Sequence, residues 1–140
     1  MTPRLYDWRS RLAAETVRQA REPFAWGEHD CAIGFGAGVV MALTGVDVAA
    51  PYRGHYRTPT GAMRLLRKSG FQSLGDFVAS LFPEIEIAQA RIGDLGLVAA
   101  DGPIAEAICM FEASGVVVMT EQGHGRLPRD AAFRAFRVGD

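Results

Sequence analysis

The N-terminal part of the chain carries apolar residues at helical spacing, interrupted by segments that contain proline or glycine. Leu5, Trp8 and Leu12 mark one such stripe, with charged residues between them. Apolar positions three and four apart lie on one face of a helix. We therefore expect a first helix over residues 5–21, with Thr2-Pro3 as its N-terminal cap.

A second predicted helix is almost wholly apolar. Asp30 suits an N-cap, and the helix is expected to run from Cys31 to Leu43 before Thr44-Gly45 ends it. A helix that is apolar on most sides is buried. It also contains three glycines, which disfavour helix interiors, so we expect another backbone to approach closely at Gly34, Gly36 and Gly38.

Shorter elements follow. Thr58-Pro59 predicts a basic helix that ends at Gly70, and Ser73 followed by Asp76 resembles a capping box for a helix to Leu81. Short β-rich runs then lie between turn residues, at 90–100, 104–111, 115–120 and near 135–138. Helices first and antiparallel strands second predict an α+β fold, with N-terminal helices packed on a small sheet.

Composition restricts the class of protein. A length of 140 residues suits one domain, expected over 1–140. With 15 Lys and Arg against 16 Asp and Glu, the net charge of −1 argues against nucleic-acid binding. The longest uncharged apolar run, residues 31–46, contains four glycines and is shorter than the roughly 20 residues of a membrane span, so none is expected.

The side chains suited to nucleophilic or acid–base chemistry are few: Cys31, Cys109, His29, His55 and His124. Cys31 stands in the first turn of its predicted helix, where the helix dipole and free amides favour a thiolate. Such a cysteine suits a nucleophile, and the same amides suit an oxyanion site. The alternative is a small buried residue that begins an apolar helix.

Two motifs resemble those of a known family. Pro23-Phe24-Ala25-Trp26-Gly27 followed by Asp30-Cys31, and later Gly93-Asp94-Leu95, are similar to the NlpC-type, papain-like cell-wall cysteine peptidases. The chain resembles in particular a small branch found in phage and prophage tail gene clusters. The resemblance implies a papain-like fold with Cys31 as nucleophile, cell-wall peptide as substrate, and a place in the virion tail.

The departures from that family concern its chemistry. Its catalytic histidine begins the second core strand, and the run 107–111 puts Ala107 at that position. Ala32 replaces a serine, and Phe24 replaces a tyrosine whose hydroxyl would help the oxyanion site. A cysteine without an imidazole lacks the partner that lowers its pKa and protonates the leaving group. Two substitutes remain open: His124, expected in a flexible turn after a strand, and His29, two residues before Cys31.

Binding of a cofactor or metal is not expected. Residues 34–38 read GFGAG, one residue short of a dinucleotide fingerprint, and they lie within a predicted helix instead of after a strand. The cysteines and histidines show no spacing typical of a metal site.

Three functions are consistent with these patterns. The favoured one is a catalytically degenerate structural or assembly component of a phage tail tip, present in the virion tail or, during assembly, in the bacterial cytoplasm. Its partners would be other tail proteins, bound in a groove formed by Phe24, Trp26, Asp30, Tyr52 and Tyr56. The alternative is an active cysteine hydrolase of peptidoglycan that uses Cys31 with His124 or His29. A small intracellular binding module is the third.

Overall fold

In the computed structural model, which describes residues 2–139, the helices come first. Helix α1 spans Trp8–Ala20, and α2 spans Ala37–Thr44. A π-helical segment, Cys31–Gly36, runs directly into α2 and carries the cysteine of interest. Helices α3, Pro59–Lys68, and α4, Leu74–Leu81, complete the helical layer of the described residues.

The second half forms a six-stranded antiparallel sheet with the order β1-β6-β2-β3-β4-β5. The strands are β1 Glu84–Ile85, β2 Leu95–Ala99, β3 Glu106–Phe111, β4 Val116–Thr120, β5 Gly123–Leu127 and β6 Ala132–Phe136. Short 3₁₀ helices, Ile87–Gln89 and Arg129–Ala131, precede β2 and β6. The predicted α+β class is confirmed.

Some local predictions were wrong. Helix α1 begins at Trp8 after Asp7, without a side-chain cap, so Thr2-Pro3 does not start it. His124, expected in a flexible turn, lies in β5 opposite Met119 of β4. Pairing with β4 holds this segment extended, although its two glycines give it little strand propensity of its own.

The two faces of the sheet bury different residues. Along β3, Ile108 and Met110 pack into the main core with the helices. Cys109 and Phe111 alternate with them and pack into a second cluster, which Ala107 also contacts. Since successive strand residues point to opposite faces, Ala107 lies on the face turned away from the helices.

The glycines of the apolar helix do permit close packing, but against side chains as well as backbone. A Cβ at Gly34 would overlap the ring and the Cα of His29. A Cβ at Gly38 would overlap the side-chain ends of Glu15 and Gln19 on α1. At Gly34 and Gly38, the predicted close approach is therefore made largely by polar side chains that pack against the helix.

Asp94, within the Gly-Asp-Leu motif, ties the two ends of the chain to the sheet. It is fully buried. Its Oδ1 accepts hydrogen bonds from Arg4 Nη2 and from the amide of Val138, each at 3.0 Å, and Oδ2 accepts from the Arg91 amide at 3.0 Å. The carboxylate acts as a structural anchor.

Candidate functional site

Asp30 organises the turn that precedes Cys31. Its Oδ1 accepts hydrogen bonds from the amides of Ala32, at 3.0 Å, and Ile33, at 2.8 Å, so the predicted N-cap is confirmed. Its Oδ2 accepts from the Gly27 amide at 3.0 Å and from the Tyr56 hydroxyl. Four donors compensate a carboxylate that is only 1% exposed, and they fix Cys31 at the start of the π-helical segment.

The environment of Cys31 favours the neutral thiol. Desolvation of the half-buried side chain, followed by the Asp30 carboxylate, raises the pKa of Cys31 to about 12, while hydrogen bonds from the amides of Ile108 and of Cys31 itself lower it less. Each pH unit is a factor of ten in thiolate, so a rise from the ordinary value of 9.0 reduces the thiolate fraction at neutral pH about 1000-fold. Desolvation and the neighbouring anion outweigh the helix start, which by itself favours a thiolate.

The residue that β3 presents to Cys31 is Ile108. The Ile108 amide donates a hydrogen bond to the Cys31 sulfur. The Ile108 side chain is 4% exposed and packs in the main core. Ala107, which the resemblance places at the position of the base, packs on the opposite face of the sheet and does not face Cys31. The side chain that β3 places on the helix-facing side next to Cys31 is therefore aliphatic.

Both candidate bases are bonded to Gln19 on α1. His29 Nε2 lies 3.2 Å from the Gln19 carbonyl oxygen, and His124 Nε2 lies 3.1 Å from Gln19 Oε1. Among residues 2–139, no hydrogen bond or ion pair joins either histidine to Cys31. Burial lowers the pKa of His124, and the charges of His29 and Arg126 add to this effect.

Gln19 is the residue that the sequence did not reveal. It is 2% exposed, and its Nε2 lies 3.3 Å from the Gly34 carbonyl and 3.2 Å from the Phe35 carbonyl. It thereby satisfies backbone oxygens where the π-helical segment passes into α2. The sequence feature that could have indicated its buried role is its position two helical turns after Leu12, on the inward face of α1.

An apolar cavity adjoins Cys31. It measures about 70 Å³ and lies between the π-helical segment, α3, α4 and the sheet. Trp26, Asp30, Tyr52 and Tyr56 of the predicted groove line it together with Cys31. Phe24 does not; it packs edge-on against Trp26, with ring centroids 5.1 Å apart.

The remaining histidine, the metal ligands and the helices complete the description of the candidate chemistry. His55 is exposed in the loop before α3. Among the described residues, no group of three or more His, Cys, Asp or Glu side chains is placed to hold a metal ion. Within the same range, no helix has the length and apolar character needed to cross a membrane.

The fold and the site define an α+β protein in which a half-buried cysteine begins a helical segment packed on an antiparallel sheet. Residues 3–138 match the family described as a domain of unknown function, DUF6950, and the chain belongs to that family. No curated protein matches the chain. No solved structure matches it either.

Proposed function

We propose that this protein is a catalytically inactive relative of the papain-like NlpC-type peptidases that serves as a structural or assembly component of a phage or prophage tail. The environment of Cys31 carries this proposal: burial and Asp30 raise the pKa of its thiol, and Ile108 stands beside it in place of a base. Papain-type chemistry needs a thiolate and an imidazole acid in contact. The raised pKa of Cys31 and the absence of a hydrogen bond from a histidine to it among residues 2–139 both support an inactive domain.

The histidines support the same interpretation. Gln19 accepts a hydrogen bond from His29 Nε2 with its backbone carbonyl and one from His124 Nε2 with Oε1. Its own side-chain amide also donates to two backbone carbonyls of the helical segment that begins at Cys31. Moving either ring to the thiol would break a bond inside a buried network. Such a break costs on the order of 1–3 kcal/mol when it leaves a buried polar group unsatisfied.

The cavity suggests how the domain would hold a partner. A water needs roughly 10–15 Å³ on the same measure, so 70 Å³ suits one apolar side chain better than a stretch of peptide. Trp26, Tyr52 and Tyr56 supply aromatic walls, which are frequent at protein interfaces. We infer that a tail protein inserts such a side chain here.

The test is a phage or prophage that encodes Cys31→Ala. Particles should assemble and infect at the parental level, because the thiol supplies no chemistry. Ala62→Trp, which fills a cavity wall, should reduce assembly and the co-purification of tail proteins; Gln72→Trp on the exposed surface is its matched control.

The competing function is a cysteine hydrolase of cell-wall peptide. It predicts that Cys31→Ala particles assemble but fail to infect, and that the purified wild-type protein releases peptide from peptidoglycan while Cys31→Ala does not. Either result would overturn the proposal of an inactive domain.

A further inference from the structure

A second recess lies at the start of α1, apart from the cavity at Cys31. It measures about 280 Å³ and is lined by Arg4, Trp8, Arg9, Arg91 and Ile92, which we call the Trp8 groove. It shares no lining residue with the cavity at Cys31. Three of its five lining residues are arginines, and none is acidic.

Two of the guanidinium groups stack on one indole. The Cζ atoms of Arg4 and Arg9 each lie 4.4 Å from the ring centroid of Trp8. Stacking on an aromatic ring uses the face of a guanidinium and leaves its N–H edge free. The N–H groups of Arg4 are already bonded, to the carbonyls of Val138 and Ile92 and to Asp94 Oδ1, so the free edge in this stack belongs to Arg9. Edge-on N–H pairs are suited to bidentate binding of a planar oxyanion such as a carboxylate.

The arginines that line the groove carry more positive charge than nearby carboxylates neutralise. Arg9 and Arg91 are exposed and form no ion pair with any residue of the described range 2–139. Arg4 pairs with the buried Asp94, whose oxygens are already shared with backbone amides and with Arg137. Burial is the main cause of the lowered pKa of Arg4, and repulsion from Arg91 and Arg137 opposes the effect of Asp94.

The walls favour an anion carried on a carbon stem. Trp8 is half-buried and Ile92 is 39% exposed, so both present apolar surface beside the free arginines. The methylenes of a glutamate side chain would cover that surface, whereas inorganic phosphate has nothing to place against it. We propose that the Trp8 groove binds a carboxylate side chain from an acidic segment of a partner protein. This proposal does not depend on the function proposed for the Cys31 face.

The experiment titrates the full chain into fluorescein-labelled hexaglutamate and follows fluorescence anisotropy. The double substitution Arg9→Gln/Arg91→Gln removes the two free cations and should weaken binding at least about tenfold, as expected for lost charge-assisted hydrogen bonds. Arg64→Gln/Arg67→Gln on α3 is the matched control, since it removes the same charge from exposed arginines outside the groove. We expect it to change affinity less than about twofold.

Three outcomes would overturn the proposal. One is equal weakening by the two double variants, which would indicate general charge attraction. The second is a fluorescence anisotropy that does not reach a plateau up to about 1 mM protein. The third is displacement of the peptide by inorganic phosphate at a lower concentration than by glutarate, which would assign the groove to phosphate. Stronger displacement by glutarate supports a carboxylate.

Discussion

Replacing Ile108 with histidine should convert Cys31 into a reactive thiol. Ile108 is the β3 residue whose amide acts on the Cys31 thiol and whose side chain packs into the helix-facing core. An imidazole at this position would form the ion pair that lowers the pKa of a papain-type cysteine. Ala107→His places the same group on the other face of β3 and is the matched control.

The size of the effect follows from the pKa of Cys31. A fall from about 12 to the ordinary value of 9.0 would increase the thiolate fraction at neutral pH about 1000-fold. A thiolate of lower pKa is also a weaker nucleophile, by about 25-fold over this interval if the Brønsted coefficient is 0.4–0.5. The net expectation is a rate about 40-fold higher.

The assay measures the reaction of Cys31 with an aromatic disulfide at pH 7, in a background that carries Cys109→Ala. Circular dichroism and thermal melts accompany it, because a histidine in this core should cost on the order of 1–3 kcal/mol. An equal gain in Ile108→His and Ala107→His would refute the reasoning, since it would indicate loosening of the fold. No gain in a folded Ile108→His variant would show that β3 does not present this position to the thiol.

Three further predictions concern stability. Burial raises the pKa of Cys109 from the ordinary value of 9.0 to about 12. The stabilisation by the neutral thiol is therefore fully present below pH 9.0 and is lost as the pH rises toward 12. Urea melts should show that the free energy of unfolding falls by up to about 1.4 kcal/mol per pH unit in this range, a fall that Cys109→Ala should lack. Gln19→Ala should lower the free energy of unfolding by about 2–3 kcal/mol because it leaves buried carbonyls unpaired, whereas the exposed Gln72→Ala should be nearly neutral in the same melts. Gly34→Ala should destabilise by about 1–3 kcal/mol, since its Cβ would meet the His29 backbone; a more stable variant would contradict the packing described here.

Local signals in the sequence were sufficient for the starts of the capped helices, though not for the start of α1. Asp30 and Ser73 both cap the helices that follow them, because a short polar side chain can bond the free amides of the first turn wherever the helix lies. Helix and strand order likewise followed from apolar spacing. Strand β5 was missed since its glycines carry no strand propensity, and it forms only by pairing with β4.

The candidate site was harder to predict because it depends on register and on distant partners. The resemblance singles out Ala107, but the β3 residue on the side of Cys31 is the next one, Ile108, and in a strand one residue reverses the face. The bonds that hold His29 and His124 on Gln19 join elements far apart in the chain. No local pattern encodes such a contact.

The Asp-Cys helix start has a structural explanation that needs no catalysis. Asp30 accepts four hydrogen bonds, from three backbone amides and the Tyr56 hydroxyl, and these help to fix the turn and the position of Cys31. The same carboxylate, with burial, raises the pKa of the thiol it positions. The motif therefore indicates how the helix begins, and on the proposed function a reactive thiol would also need an imidazole from β3. At that position this chain has Ile108.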